Sequence, residues 1–273
     1  MAGVNSIGLF IANSSWGTPV NKTVLVATDG PVRVLTLNRP ERLNALDVGV
    51  RREMAAQLKA AQKDPEIRAV VITGAGERAF CAGQDLHESE ALKPKDGPIW
   101  MASWKAYFIA VSSFTKPLIA ALNGVAAGGG FETALLCHLR LAQPATRLVM
   151  AEVDIGLPAV VGRFLLQTHL GHSRANEITL TGRTILAEEA RDIGLLKEIV
   201  PADRLLARAQ EVARELAAKP PQAMQLNLER FRTLMRRGLA EAERASVRYQ
   251  AEAVATGEPQ KAMAEFFARR RKA

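Results

Sequence analysis

The chain has 273 residues, 48% of them hydrophobic and 23% charged, with a formal net charge of +8. This length is enough for one full hydrophobic core, and the composition is ordinary for a soluble globular protein. No apolar run has the length that spans a bilayer, and no basic residues precede the short apolar patch near the N-terminus. We therefore expect a cytoplasmic protein that does not engage a membrane.

The sequence also argues against nucleic-acid binding, a disulfide and a metal site. Much of the positive charge lies in the C-terminal part, spaced among Glu and Ala in helical patterns, which predicts solvated helix faces. No basic segment with interleaved aromatics supports nucleic acid as a partner. Cys81 and Cys137 lie in apolar contexts and predict buried thiols rather than a disulfide. His169 and His172 have no apparent third ligand, so we predict no metal site.

Apolar residues recur with the periods of strands and helices in alternation. Strands are predicted at residues 32–37, 69–73, 116–122, 139–142 and 148–150, and helices at residues 47–62, 100–114, 131–137, 159–170 and 173–180. Residues 88–98 contain two prolines and a glycine and predict a mobile loop. This alternation predicts an α/β fold with crossover connections.

After residue 201 the pattern becomes helix after helix. Leu205, Ala209, Val212 and Leu216 fall on one stripe, and Pro220-Pro221 predicts the start of a new helix. We therefore predict three segments: an N-terminal extension (1–20), an α/β core (21–200) and a helical module (201–273) that packs on the core or on a partner subunit.

Residues 123–132, Asn-Gly-Val-Ala-Ala-Gly-Gly-Gly-Phe-Glu, place three glycines and a carboxylate where a strand turns into a helix. Glycine lets a backbone approach a ligand closely, and a helix N-terminus adds unpaired N–H groups and a positive dipole end. A second turn, Ala82-Gly83-Gln84-Asp85, contains one glycine. Each turn alone is weak evidence, and neither is a phosphate loop or a dinucleotide fingerprint. Together, two converging N–H groups can form an oxyanion hole for a thioester oxygen.

Two glutamates accompany these turns. Glu132 follows the glycine run, and Glu152 lies among apolar neighbours, where an unpaired surface acid is unusual. Each can be a helix-terminal or ion-paired structural acid. In one pocket, the two carboxylates would suit general acid/base catalysis.

These residues resemble the crotonase superfamily, that is, the enoyl-CoA hydratase/isomerase family, over residues 24–272. The resemblance rests on separated motifs in a common order: Asn38-Arg39-Pro40, Leu43-Asn44-Ala45-Leu46, Phe80-Cys81-Ala82-Gly83-Gln84-Asp85-Leu86, the run 123–132, Ala151-Glu152-Val153, Leu180-Thr181-Gly182-Arg183 and Ala187-Glu188-Glu189-Ala190. It implies a crotonase-like spiral of ββα units followed by a C-terminal trimerisation module, with a homotrimer or a hexamer of paired trimers as the assembly.

The resemblance also implies roles for individual residues. The backbone N–H groups of Gln84 and Gly129 would hold the thioester oxygen. Glu132 and Glu152 fall on the family's two acid positions, with water between them. Glu132 would help to activate the water for attack at C3, and Glu152 would deliver a proton to C2.

The resemblance implies no separate cofactor, because coenzyme A is part of the substrate. Its contacts would involve the end of a neighbouring subunit's last helix, and part of the positive charge would meet its phosphates. The implied CoA-binding residues are Arg42, Leu43, Ala82, Gln84, Phe266 and Arg269.

Some residues depart from the family pattern. Gln84 stands where a small residue is common, His87 stands where a lysine is common, and Val160 and Val161 enter a loop that is usually richer in glycine. We predict an enoyl-CoA hydratase; the alternatives are a double-bond isomerase or another crotonase reaction in which one acid suffices, and a basic RNA-binding member of the fold.

Overall fold

The computed structural model describes residues 22–91 and 97–270. Within these ranges the strands are β1 (Val24–Asp29), β2 (Val32–Leu37), β3 (Ala69–Gly74), β4 (Ala79–Cys81), β5 (Leu118–Leu122), β6 (Val125–Ala127), β7 (Leu139–Ala142), β8 (Arg147–Val149), β9 (Thr184–Leu186) and β10 (Glu198–Ile199). The helices are α1 (Val48–Lys63), α2 (Leu86–Ala91), α3 (Gly97–Ser112), α4 (Gly129–Leu136), α5 (Val160–Leu170), α6 (His172–Thr181), α7 (Ala187–Asp192), α8 (Leu205–Ala217), α9 (Pro221–Thr256) and α10 (Glu258–Arg270).

The strands form two sheets that the chain enters alternately. The larger sheet has the order β1-β2-β3-β5-β7-β10, and the smaller has the order β4-β6-β8-β9. The pairs β3/β4, β5/β6 and β7/β8 each add one strand to each sheet, and helices follow each pair. Only β1/β2 and β8/β9 pair antiparallel among these strands. The predicted α/β spiral of ββα units is confirmed.

The larger sheet is covered on both faces, as buried parallel sheets generally are. All six residues of β3 are buried. Val70 and Ile72 face the main core with α1 and α3, whereas Val71 joins a second cluster with the apolar stripe of α8. The predicted stripe is confirmed, because Leu205, Ala209 and Val212 are buried against this sheet and Leu216 packs beside them.

The prediction of a loop at residues 88–98 is partly wrong. Residues 88–91 belong to α2, and α3 already begins at Gly97; residues 92–96 lie outside the described ranges. The side chain of Asp85 accepts from the N–H of His87 at 3.0 Å, so it caps the start of α2. The Glu88 carboxylate in turn accepts from the N–H of Val48 at 2.7 Å, at the start of α1. Local capping thus overrides the loop-like composition.

The C-terminal part is helical, as predicted. α9 extends over 36 residues with proline at its first position, and Gly257 ends it in the left-handed conformation (φ 78°). α9 packs on α5, and α10 begins beside the 3-10 turn Glu152–Ile155. Among the described residues, no helix combines the length and the apolar composition that crossing a membrane requires. The N-terminal extension lies outside the described ranges, and the three-segment division stays a prediction.

Candidate active site

Two glycine turns lie in direct contact at the centre of the molecule. Gly83 has φ +84°, and a Cβ added to it would lie 2.5 Å from the carbonyl oxygen of Ala127 and 3.1 Å from the nitrogen of Gly129. A Cβ on Gly130 would collide with the carbonyl oxygen of Cys81. No larger residue fits at either position without displacing backbone. The predicted convergence of the two turns is therefore present in the structure.

Each turn presents a backbone N–H group. Gly129 is the first residue of α4, and the first N–H groups of a helix have no acceptor within the helix. Gln84 forms a bridge with Leu46 through the carbonyl of Gly83 (2.7 Å) and the N–H of Asp85 (3.4 Å). This bridge leaves the N–H of Gln84 out of the pairing, while its side chain donates to the hydroxyl of Ser89. The pair of N–H groups has the chemistry of an oxyanion hole.

The two glutamates border the same turn. Glu132 lies in the first turn of α4 and is 8% exposed, and its Oε2 lies 3.9 Å from the position of a Cβ on Gly129. Oε1 of Glu152 lies 2.9 Å from the position of a Cβ on Gly128. The structure therefore brings together all four predicted catalytic residues, Gln84, Gly129, Glu132 and Glu152.

Both carboxyl groups are shifted toward the protonated form. Burial, and then the charge of Glu152, raise the pKa of Glu132, which a hydrogen bond from the N–H of Gly162 partly opposes. Burial likewise raises the pKa of Glu152, and its Oε2 is buried without a hydrogen-bond partner among the described residues. Because two nearby carboxyl groups with little access to solvent disfavour double ionisation, the pair retains a proton to higher pH than exposed carboxyls do.

An ion pair supports the turn that contains Gln84. Asp85, next to Gln84, is 5% exposed and pairs with Arg39 at 2.9 Å; Arg39 also pairs with Asp47 at 3.1 Å. Burial alone would raise the pKa of Asp85, but the hydrogen bond and charge of Arg39 outweigh it and hold this pKa below its usual range. Sequence reasoning missed this pair, although both residues lie inside the motifs that carry the resemblance.

A cavity of about 2010 Å³ opens over these groups. The predicted CoA-binding residues Arg42, Leu43, Ala82 and Gln84 all line it. Phe266 and Arg269 belong to α10, but their side chains lie outside the described part of the structure. Apolar walls come from α3 and α5, and Val160 and Val161 are among the residues that line the cavity.

Trp104 is a site residue that lies outside the sequence motifs. A Cβ on Gly129 would lie 2.7 Å from Cη2 of Trp104, so the indole lies against the predicted oxyanion glycine. Trp100, Trp104 and Phe108 recur at helical spacing and all line the cavity. That spacing indicates one aromatic face, but the sequence does not show what the face meets.

Comparison with known families agrees with this geometry. Residues 27–273 match the family model described as enoyl-CoA hydratase/isomerase. The chain belongs to the enoyl-CoA hydratase/isomerase family. Membership makes it an enoyl-CoA hydratase or isomerase, an enzyme that acts on an acyl-CoA thioester.

Individual relatives of this chain are named as hydratases or isomerases of the same family. A probable enoyl-CoA hydratase of Rhizobium meliloti is 36% identical over 92% of this chain and 96% of its own length. The 1,2-epoxyphenylacetyl-CoA isomerase of Escherichia coli is 36% identical over 72% of this chain and 77% of its own length. An enoyl-CoA hydratase/isomerase from Mycobacterium paratuberculosis has a crystal structure with a TM-score of 0.83 at 25% identity, covering 92% of this chain and all of that one.

Proposed function

We propose that the enzyme adds water across the 2,3 double bond of an enoyl-CoA thioester. The observation that carries the proposal is a pair of carboxyl groups, Glu132 buried and Glu152 half-buried, both with raised pKa, beside two glycine turns with available N–H groups. Hydration needs one base for water and one acid for carbon, and a carboxyl pair that holds one proton supplies both.

The proposed reaction begins with the pair holding one proton, in the form in which Glu132 is ionised and the proton lies on Glu152. Burial and the charge of Glu152 favour the other form, with the proton on Glu132, so the reactive form is the minor one. The water oxygen forms a bond to C3, and its proton goes to Glu132. The electrons of the double bond move onto the thioester oxygen, where the N–H groups of Gln84 and Gly129 stabilise the negative charge. The enolate then takes the proton of Glu152 at C2. Glu132 ends protonated and Glu152 ionised, and exchange with solvent restores the starting state.

The proposal extends to binding of the CoA portion and to assembly. Arg42, Leu43 and the turn at Ala82 line the cavity and would contact CoA. α9 exposes Leu226, Phe231 and Leu234, by 61%, 53% and 63%. Exposed apolar clusters of this kind favour a protein interface. We infer a homotrimer formed through α9, with pairing of trimers into hexamers as a further step.

The deciding experiment compares wild type, Glu132→Ala and Glu152→Ala on two substrates, crotonyl-CoA and a 3-enoyl-CoA. We expect each substitution to lower crotonyl-CoA hydration by about 10²–10⁴-fold, the usual contribution of a general acid or base. Glu66→Ala serves as the control, because Glu66 is an exposed acid.

An isomerase gives a different pattern, because moving a double bond needs one acid in principle. In that case wild type converts the 3-enoyl-CoA without hydrating crotonyl-CoA, and Glu132→Ala retains the conversion. That pattern would reject the hydratase proposal and support isomerisation through Glu152. Inactivity of wild type on both substrates would point to another reaction of the family.

A further inference from the structure

The indole of Trp104 forms the wall beside the proposed thioester site. Its Cη2 and Cζ3 atoms lie 2.7 and 3.0 Å from the position of a Cβ on Gly129, and Oε2 of Glu132 lies 3.9 Å from the same point. The six-membered edge of the indole and the Glu132 carboxylate therefore flank one glycine. A thioester held at Gly129 places its acyl group beside this edge.

A buried cation fixes the indole. The guanidinium carbon of Arg51 lies 4.4 Å from the ring centroid of Trp104, and Arg51 is fully buried. Arg51 is held in turn by the carbonyl of Leu46 (2.6 Å), the hydroxyl of Ser103 (3.0 Å) and the carboxylate of Glu88 (3.1 Å). These contacts join α1, α2 and α3 around the ring.

Neighbouring aromatics hold the same indole. Phe108 stacks on Trp104 with centroids 5.4 Å apart, and Trp100 meets it edge-on at 6.2 Å. The N–H of Trp100 donates to the Glu88 carboxylate at 2.8 Å, which fixes the second indole to the same acid that holds Arg51. The plane of Trp104 is therefore set by the protein before any ligand binds.

The edge that reaches the site has a defined electrostatic character. The hydrogen-bearing edge of an aromatic ring is positive, whereas its face is negative. A cation over the face of Trp104 draws electron density toward itself and makes the edge more positive. The π face of an aryl group is the apolar surface that such an edge prefers, because edge-to-face contacts gain energy beyond area burial.

We propose that Trp104 determines specificity and that the site selects thioesters whose acyl group carries an aromatic ring, of the cinnamoyl type. This inference rests on one part of the proposed function, namely that the N–H of Gly129 binds the thioester oxygen and so places the acyl group beside Trp104. Arg51 acts as a positioning residue through Trp104.

The test measures binding of two unreactive saturated thioesters by calorimetry, 3-phenylpropanoyl-CoA and 3-cyclohexylpropanoyl-CoA. The two ligands match in carbon skeleton and differ in the π face. We expect wild type to bind the phenyl compound about fivefold more tightly, the value of a favourable aromatic pair. Trp104→Phe should keep most of this ratio, and Trp104→Leu should reduce it to near one.

If wild type binds the phenyl and the cyclohexyl compounds with nearly equal affinity, the proposal is overturned. It is also overturned if Trp104→Leu leaves the ratio of the two affinities unchanged. The comparison of the two ligands in wild type tests the aryl selectivity of the site even if Trp104→Leu does not fold. Crotonyl-CoA hydration, measured in parallel, separates the two claims. Hydration with a ratio near one rejects only the aryl selectivity, whereas aryl selectivity without hydration of crotonyl-CoA or cinnamoyl-CoA rejects only the proposed reaction.

Discussion

Glu132 is a buried acid, and Glu152 is a half-buried acid whose Oε2 is buried. Among the described residues, neither takes part in an ion pair. Ordinarily a buried charge is paired, because loss of solvation costs several kcal/mol. Here burial disfavours the ionised form of each carboxyl, and the charge of Glu152 adds to this effect at Glu132. The arrangement keeps a proton available for chemistry near neutral pH and lowers the stability of the fold when both groups ionise.

Glu132→Gln should therefore stabilise the fold increasingly as pH rises. The native-state pKa of Glu132 lies above its unfolded value of 4.5. Its contribution is fully present below the unfolded pKa and is lost as pH rises through the native-state pKa. Glutamine does not ionise, so the free energy of unfolding of the variant should gain on wild type by up to about 1.4 kcal/mol per pH unit in that window.

Urea unfolding at a series of pH values measures this difference. Glu66→Gln is the matched control, because Glu66 is an exposed acid that lies outside the site. Parallel stability curves for wild type and Glu132→Gln would contradict the account.

At the scale of elements, the site depends on how closely β4, β6 and α4 meet. Gly83 follows β4, and Gly128–Gly130 join β6 to α4. The N–H of Gly128 donates to the carbonyl of Val149 at 2.9 Å, so β8 holds the second turn while Leu46 holds the first. The geometry of the predicted oxyanion hole thus depends on the second sheet and on Leu46 rather than on either turn alone.

Gly83→Ala should impair both stability and catalysis, whereas Gly194→Ala should affect stability alone. Both glycines have φ +84°, so both substitutions carry the left-handed strain of about 1–2 kcal/mol. Only at Gly83 does the new Cβ lie 2.5 Å from a carbonyl oxygen; at Gly194 nothing lies within 4 Å. We expect kcat of Gly83→Ala to fall about 10²–10³-fold, as when one oxyanion donor is lost. Equal kcat values for the two variants would refute this assignment.

A histidine closes the start of β5. Nδ1 of His138 accepts from the N–H of Leu118 at 2.9 Å, and the N–H of His138 donates to the carbonyl of Leu118 at 2.8 Å. Burial first, and then the charge of Arg140, lower the pKa of His138 to about 4. The native fold therefore contains the neutral form of this imidazole, which accepts a hydrogen bond from the backbone of β5.

The fold should lose stability as pH falls from about 6.5 to about 4, because the unfolded chain binds a proton that folded His138 does not. The expected slope is up to about 1.4 kcal/mol per pH unit. His169 adds a similar slope, since burial lowers its pKa to about 4 as well. In unfolding titrations His138→Leu should show a shallower acid slope than wild type; an unchanged slope would exclude His138 as a source.

At the scale of the whole molecule, many of the surface arginines face acids. Arg208 on α8 pairs with Glu198, Glu211 and Glu215, and Arg214 pairs with Asp29 at 2.7 Å. The charged side chains of α8 lie on its solvated face, in agreement with the predicted spacing. α9 differs from α8 in exposing several large apolar side chains in its first half, Leu226, Phe231 and Leu234, whereas α8 exposes only Leu206 among the large apolar residues.

Leu234→Lys should weaken self-association through α9. Leu234 is 63% exposed in the isolated chain, and a lysine there would have to be desolvated in a trimer. Light scattering should show a shift from trimer to smaller species. Leu206→Lys on α8 is the control, with a leucine 37% exposed and no expected effect on mass. A monomeric wild type, or a Leu234→Lys variant of unchanged mass, would refute the proposed interface.

The sequence predicts long periodic elements well and the second sheet poorly. The alternation in β2, the helical stripe in α1 and the apolar run in β5 are each long enough to show a period. β4, β6 and β9 contain three residues each, too few to show a period, and none of them is predicted. β8 is equally short and is the one strand of this sheet that is predicted, at residues 148–150.

Some features of the site could be predicted from the sequence and others could not. The catalytic quartet follows from motifs in the chain, and the structure brings its members together, while their roles stay predictions. The contact between Trp104 and Gly129 and the ion pair of Arg39 with Asp85 join distant segments. Such contacts are set by tertiary packing and leave no periodic pattern. The roles of Phe266 and Arg269 also stay predictions.

The collision that excludes a Cβ at Gly130 has a kinetic consequence. Gly130 meets Cys81 across a long stretch of chain that includes α2 and α3. Closing such a long loop slows folding, whereas helices form from local contacts within microseconds. During refolding, circular dichroism should recover before turnover does. Recovery of catalysis would then measure when the long-range contact between Gly130 and Cys81 forms. Before that point, a chain with native helix content is still inactive.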